Sequence, residues 1–146
     1  MTESTEKLTP MISTAQSRCF GCGAANATGL QLEFQLAEDG SVVSLPTIPP
    51  SFEGPPGYLH GGVIATLLDE AMSKSVRARG LKAVTGHMQV NYIRPVHSGA
   101  PIRLEGRLLE SEGRKHKTEA RLLDARGRLL AQAKGLFIEV HAGHGF

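Results

Sequence analysis

His60-Gly61-Gly62 and Asp69 are the residues of this chain whose types and spacing could do chemistry. They share one run, His60 to Met72, in which Val63, Ile64, Leu67, Leu68, Ala71 and Met72 recur at helical spacing, continued by Val76. A helix N-terminus presents unpaired backbone N–H groups and a positive partial charge. Glycine at that point lets a ligand come close to the backbone. The corner His60-Gly61-Gly62 can therefore bind an oxyanion and polarise a carbonyl; the same glycines would equally serve a tight turn into the helix. Asp69 lies beside Thr66 and Ser73 on the helical wheel and has the chemistry of a general base or nucleophile. As an ordinary surface acid it would instead pair with Lys74 or Arg77. Glu70 is expected to pair with Lys74, four residues on.

Spacing constrains how these groups can cooperate. Asp69 follows Gly61 by eight residues, or roughly 12 Å along a helix axis at ~1.5 Å per residue. A carbonyl under attack needs both its base or nucleophile and its oxyanion donor within about 3 Å. One helix cannot supply both to one substrate. Two copies packed antiparallel about a two-fold axis can, so a catalytic role for both groups implies at least a homodimer with composite sites.

The flanking sequence supplies the frame. Leu30, Leu32, Phe34 and Leu36 alternate with polar residues and read as a strand, followed by an Asp39-Gly40 turn and a second strand over about 41–47. The Pro- and Gly-rich segment PPSFEGPPGYL is a loop leading into the helix. The helix is expected over about 61–78, ending before Gly80 with Lys74, Arg77 and Arg79 in or beyond its last turn. Four more strands follow, over about 83–93, 102–109, 117–123 and 129–140, separated by short Gly-containing turns that imply antiparallel neighbours. Ala131, Ala133, Gly135 and Phe137 share one face of the last strand, where small side chains let a helix lie close. The expected class is α+β, a curved antiparallel sheet wrapped around one long central helix. Residues 18–141 form its single domain, between a flexible, polar extension at 1–17 and a short tail at 142–146.

Composition narrows the function. A chain of 146 residues with 40% hydrophobic content suits one globular domain. The net charge of +2 is too small to argue for nucleic acid, and no nucleic-acid partner is expected. The charge is nevertheless uneven: residues 1–73 hold two basic and eight acidic residues, residues 74–146 fourteen and six. The cationic half suits a phosphorylated small molecule, or simply a solvated sheet face. No apolar run is long enough to insert in a membrane, and the N-terminus lacks signal-peptide character, so a cytoplasmic protein is expected. Cys19 and Cys22 form a Cys-x-x-Cys pair, but no second Cys/His pair follows to complete a zinc set. They read as reduced thiols, and no metal is expected.

With these residues in view, the chain resembles the hotdog-fold acyl-CoA thioesterases of the PaaI-type and THEM-type branch. The matching segments are CFGCGAANATGLQL, FEGPPGYLHGG, HGGVIATLLDEAM, AVTGHMQVNYIRPV and AQAKGLFIEV, which together span about 19–140. The resemblance implies a hotdog fold, a homodimer or dimer of dimers, and hydrolysis of an acyl-CoA thioester without a cofactor. It assigns Asp69 as the catalytic acid, Gly61 as backbone donor to the thioester oxygen, His60 to the mouth of that corner and Thr85 to placing water or substrate. Gly62, Asn91 and Arg94, with Gly113 and Arg114 of a hairpin, fall where the family binds substrate. One departure is Gly54, where some branches carry an asparagine that holds the water. The alternative on the same fold is an acyl-CoA-binding sensor without catalysis.

Overall fold

The helical stripe of the sequence exists because it has a sheet to bury against. The computed structural model describes residues 6–12 and 15–140. Seven strands, β1 (Leu8–Pro10), β2 (Gln35–Ala37), β3 (Val42–Ser44), β4 (Ala83–Tyr92), β5 (Ile102–Glu112), β6 (Lys115–Asp124) and β7 (Leu129–Glu139), form one antiparallel sheet in the order β1-β2-β3-β5-β6-β7-β4. Helix α1 (Gly61–Arg77) packs on one face of it and touches β3, β4, β5, β6 and β7. This is the expected hotdog arrangement, a sheet around one long helix.

Helix burial is continuous. Leu67, Leu68, Ala71 and Met72 are wholly buried, with Ile64 and Val76 nearly so. Each large apolar side chain buried this way contributes about 1.5–3 kcal/mol. Opposite them, Leu104, Leu122, Ala131, Ala133 and Phe137 line the sheet, including the small-residue face expected on β7. The closest approach is at Gly106 of β5, where an added Cβ would lie 2.2 Å from the carbonyl oxygen of Ala71. The helix therefore rests on backbone at that point. It ends at Arg77, and Gly80, with φ of +78°, closes the turn by donating to the Arg77 carbonyl at 2.8 Å. Among the described residues no helix is long and apolar enough to cross a membrane.

Three features depart from the sequence reading. The Leu30–Leu36 alternation buries Leu32 and Phe34 as expected, but only Gln35–Ala37 joins the sheet. The amides of Leu30 and Leu32 donate instead to the carbonyls of Phe20 and Gly21, and Gln31 takes a φ of +51° that no ladder accommodates. Within the extension expected to be flexible, Leu8–Pro10 pairs with β2, and Glu6 forms a two-pronged ion pair with Arg103 at 2.8 and 3.0 Å. The C-terminal tail lies outside the described residues. Finally, β4 follows the helix directly in sequence yet lies beyond β7 at the sheet's far edge.

Candidate active site

The helix start spends its free donors unevenly. His60 is the N-cap, in extended conformation, and its Nδ1 accepts from the Gly62 amide at 2.9 Å. The amides of Val63 and Ile64 both reach the His60 carbonyl at 3.0 Å. Of the first-turn N–H groups, that of Gly61 is the one without an acceptor among the described residues. Gly61 is exposed, and the Tyr92 ring borders it: the Tyr92 hydroxyl donates to the Gly61 carbonyl at 2.8 Å. His60 thus caps the turn with its ring and leaves the Gly61 amide unspent.

Asp69 is half-buried in the middle of α1, and Thr85 donates a hydrogen bond from Oγ1 to its Oδ1 at 2.6 Å. That contact depends on a defect in β4. Cross-strand pairing puts Met88, Val90 and Tyr92 opposite Gly135, Ala133 and Ala131, on the helix side. Strict alternation would send Thr85 to the other side with His87, Gln89 and Asn91. An irregularity between Thr85 and His87 inserts Gly86, so Thr85 faces buried Phe137 and reaches the helix. Asp69 forms none of the ion pairs of the described residues, neither with Lys74 nor with Arg77, and one carboxylate oxygen is held while the group remains accessible.

The remaining predicted positions sit elsewhere. Asn91 is on the outer side of β4, lining with Gln89, Arg121, Gln132 and Lys134 a cavity of about 370 Å³. Arg94 is exposed and donates to the Leu129 carbonyl at 2.8 Å. Gly113, with φ of +58°, makes with Arg114 the two-residue turn between β5 and β6, and the Arg114 guanidinium binds the Glu139 carbonyl at 2.9 Å. Beneath that turn, buried His116 links Ser111 at 2.7 Å to Glu139 at 2.9 Å and braces the hairpin. Thr85 and Asp69 are therefore brought together within this chain, whereas Asn91, Arg94 and Arg114 occupy its outer surface.

Sequence reasoning missed three contacts. Tyr92 was legible only as a strand residue, although its position two beyond Val90 already placed it on the helix side. Glu70 does not pair with Lys74. Instead the Cys19 thiol lies 3.6 Å from Glu70 Oε1, and Lys74 donates to Cys22 Sγ at 3.1 Å. Burial, with the Glu70 carboxylate nearby, pushes the Cys22 thiol up to about 12 against the pull of Lys74. A thiol so raised is no nucleophile at neutral pH.

An accessible carboxylate fixed by a hydroxyl, and an unspent amide at a helix start, are the parts needed to attack and polarise a carbonyl. Comparison with known proteins agrees in class. The thioesterase superfamily model matches residues 56–131, more than half the chain, and the chain belongs to that superfamily. Acyl-coenzyme A thioesterase THEM4 from Bos taurus is 30% identical over 129 residues, covering 86% of this chain and 53% of THEM4. The chain thus spans about half the length of the curated relatives it matches. Among solved structures, RHA08564, a thioesterase superfamily protein, has a TM-score of 0.79 at 31% identity, over 83% of this chain and 60% of that one. A hypothetical thioesterase from Streptococcus pneumoniae, crystallised with coenzyme A, shares the fold with a TM-score of 0.70 at 22% identity, over 75% and 85% of the two chains.

Proposed function

We propose that this protein hydrolyses acyl-CoA thioesters to a carboxylic acid and CoA. The observation that carries the reading is the Asp69–Thr85 pair: a half-buried carboxylate without a cationic partner among the described ion pairs, oriented at 2.6 Å by a strand hydroxyl. The chain's resemblance to THEM4 and the coenzyme A bound to the streptococcal relative support the substrate class.

In this mechanism the Gly61 amide of one subunit binds the thioester oxygen. Asp69 of a second subunit either takes a proton from water as it adds to the carbonyl carbon, or adds itself to give an anhydride that water then opens. The carbon–sulfur bond breaks in both routes, and the CoA sulfur leaves with the bonding pair and gains a proton. Thr85 holds Asp69 in the attacking rotamer. Two copies fit the ~12 Å separation of the groups on one helix. The edge strand β4 offers the joint, because it presents an unpaired ladder among the described residues and exposed Val84 and Tyr92, with exposed Ile93 just beyond its end. Pairing β4 with its own copy sets two α1 helices antiparallel and side by side. Arg94, Arg114 and Asn91 lie on the outer surface, available to the phosphates and polar groups of CoA.

Release of free thiol from a panel of acyl-CoAs tests the reading directly. The expected result is turnover of at least one thioester by the wild type and loss of most of it in a folded, dimeric Asp69→Asn protein. Tight binding of CoA esters with no thiol released would instead make the protein a sensor. Full turnover by folded Asp69→Ala would remove Asp69 from the chemistry.

A further inference from the structure

The proposed hydrolysis leaves the CFGCG segment without a role. Cys19 and Cys22, both free thiols, fold over the middle of α1 and meet Glu70, the residue after Asp69. One potential ligand atom from each of Cys19, Cys22 and Glu70 lies within 4.8 Å of the other two. In a tetrahedral zinc site with Zn–S near 2.3 Å and Zn–O near 2.0 Å, a sulfur and an oxygen ligand stand about 3.5 Å apart and two sulfurs about 3.8 Å. The Cys19 Sγ to Glu70 Oε1 distance is 3.6 Å.

The loop is built around this closeness. The Gly23 amide donates to the Cys19 carbonyl at 2.8 Å, closing the turn that brings the second cysteine back beside the first. An added Cβ at Gly21 would lie 2.3 Å from Glu70 Cγ, so only glycine lets the loop seat on this side chain. Lys74, one helical turn beyond Glu70, donates to Cys22 Sγ at 3.1 Å, the kind of outer hydrogen bond that tunes a metal-bound thiolate.

We propose that Cys19, Cys22 and Glu70 bind a thiophilic divalent cation of the Zn2+ class, which clips the N-terminal loop to the central helix. On binding, the two thiol protons pass to solvent and two thiolate–metal bonds form with no change of oxidation state. Two thiolates, one carboxylate, the dication and the Lys74 ammonium then sum to zero charge, which a half-buried cluster requires. A cavity of about 420 Å³ reaches the cluster at Cys22, between Ser17, Glu33, Lys74 and Arg77, and in the proposed site water takes the fourth position. The sequence pattern hid the site because its third ligand lies 51 positions from the first, on another element.

Titrating the reduced, metal-free full chain with Co2+ tests this without any variant. The expected spectrum shows thiolate-to-cobalt charge transfer and tetrahedral ligand-field bands saturating at one ion per chain, displaced by Zn2+. Elemental analysis of untagged protein should give about one zinc per chain. Cys19→Ser and Cys22→Ser should each diminish the charge-transfer band, and Glu70→Gln should lower Co2+ affinity about 10–100-fold with the band retained. Absence of a charge-transfer band in the folded wild type overturns the proposal. So does a Cys19–Cys22 disulfide in protein isolated without air, or unchanged affinity in Glu70→Gln. None of these readouts depends on thioesterase activity.

Discussion

Replacing Gly61 by proline would isolate one backbone hydrogen. Gly61 is the first helical residue, where proline is well tolerated because the missing N–H has no intrahelical partner. The preceding residue, His60, already has φ of −62° and ψ of 138°, the extended conformation that proline imposes on its neighbour. A Cβ at position 61 would come no closer than 3.8 Å to the Tyr92 ring, an ordinary contact. The helix should therefore survive Gly61→Pro with a melting temperature close to that of the wild type, while the one unspent first-turn donor disappears. Loss of an oxyanion donor costs about 10²–10³ in kcat, or roughly 2.7–4 kcal/mol of transition-state stabilisation. Gly61→Ala fills the same space and keeps the N–H, so it should retain activity within a few-fold. The assay is initial-rate release of CoA thiol over a substrate series, with folding followed by circular dichroism. If Gly61→Pro is folded and its kcat is within a few-fold of that of Gly61→Ala, the amide does not stabilise the transition state and the polarising corner must be sought elsewhere.

Thr85→Val removes a hydrogen bond to a charged carboxylate, a contact worth about 1.5–3 kcal/mol, so kcat should fall about 10–100-fold. Because Thr85 acts through Asp69, adding Thr85→Val to Asp69→Asn should cost little more, and a multiplicative loss in the double mutant would refute the coupling. Gly106→Val pushes a side chain into the Ala71 carbonyl and should cost at least the ~1–3 kcal/mol typical of overpacking, read as a lower denaturant midpoint; an unchanged midpoint would mean that the helix does not rest on β5 there. Glu105 is desolvated, which opposes ionisation, but its bonds to Arg103 and Arg121 prevail and hold its pKa below the ordinary glutamate range. Its stabilisation is therefore full above the unfolded-state value and lost as pH falls through the depressed folded value. The stability gap between wild type and Glu105→Gln should be widest near neutral pH and close on acidification.

Periodicity made the framework legible. Apolar spacing located α1 to within a residue at its start, and β4 to β7 followed from alternation and short turns. The helix-start glycines and Asp69 stood out because their cost in a helix or on a half-buried face asks for a reason. What stayed hidden depends on contacts between distant segments. The Leu30–Phe34 stretch has the right alternation, yet its amides go to residues 20 and 21, a choice that no local pattern encodes. The turning of Thr85 toward Asp69 requires the Gly86 insertion; an isolated glycine in a strand hints at a bulge without saying which residue it redirects. Glu70 looked like half of an i,i+4 pair because the competing thiols come from another part of the chain.

Strand β4 touches α1 at two stations: Thr85 at the acid and Tyr92 at the first glycine. It thereby holds, as a splint fixes a bone at both ends, two groups of one helix that the proposed mechanism assigns to two different composite sites. A slip of even one residue in its pairing with β7 would withdraw both supports together. Substitutions along this strand that contact no substrate should therefore move the acid and the amide in concert, and the rate should respond more sharply than the melting temperature.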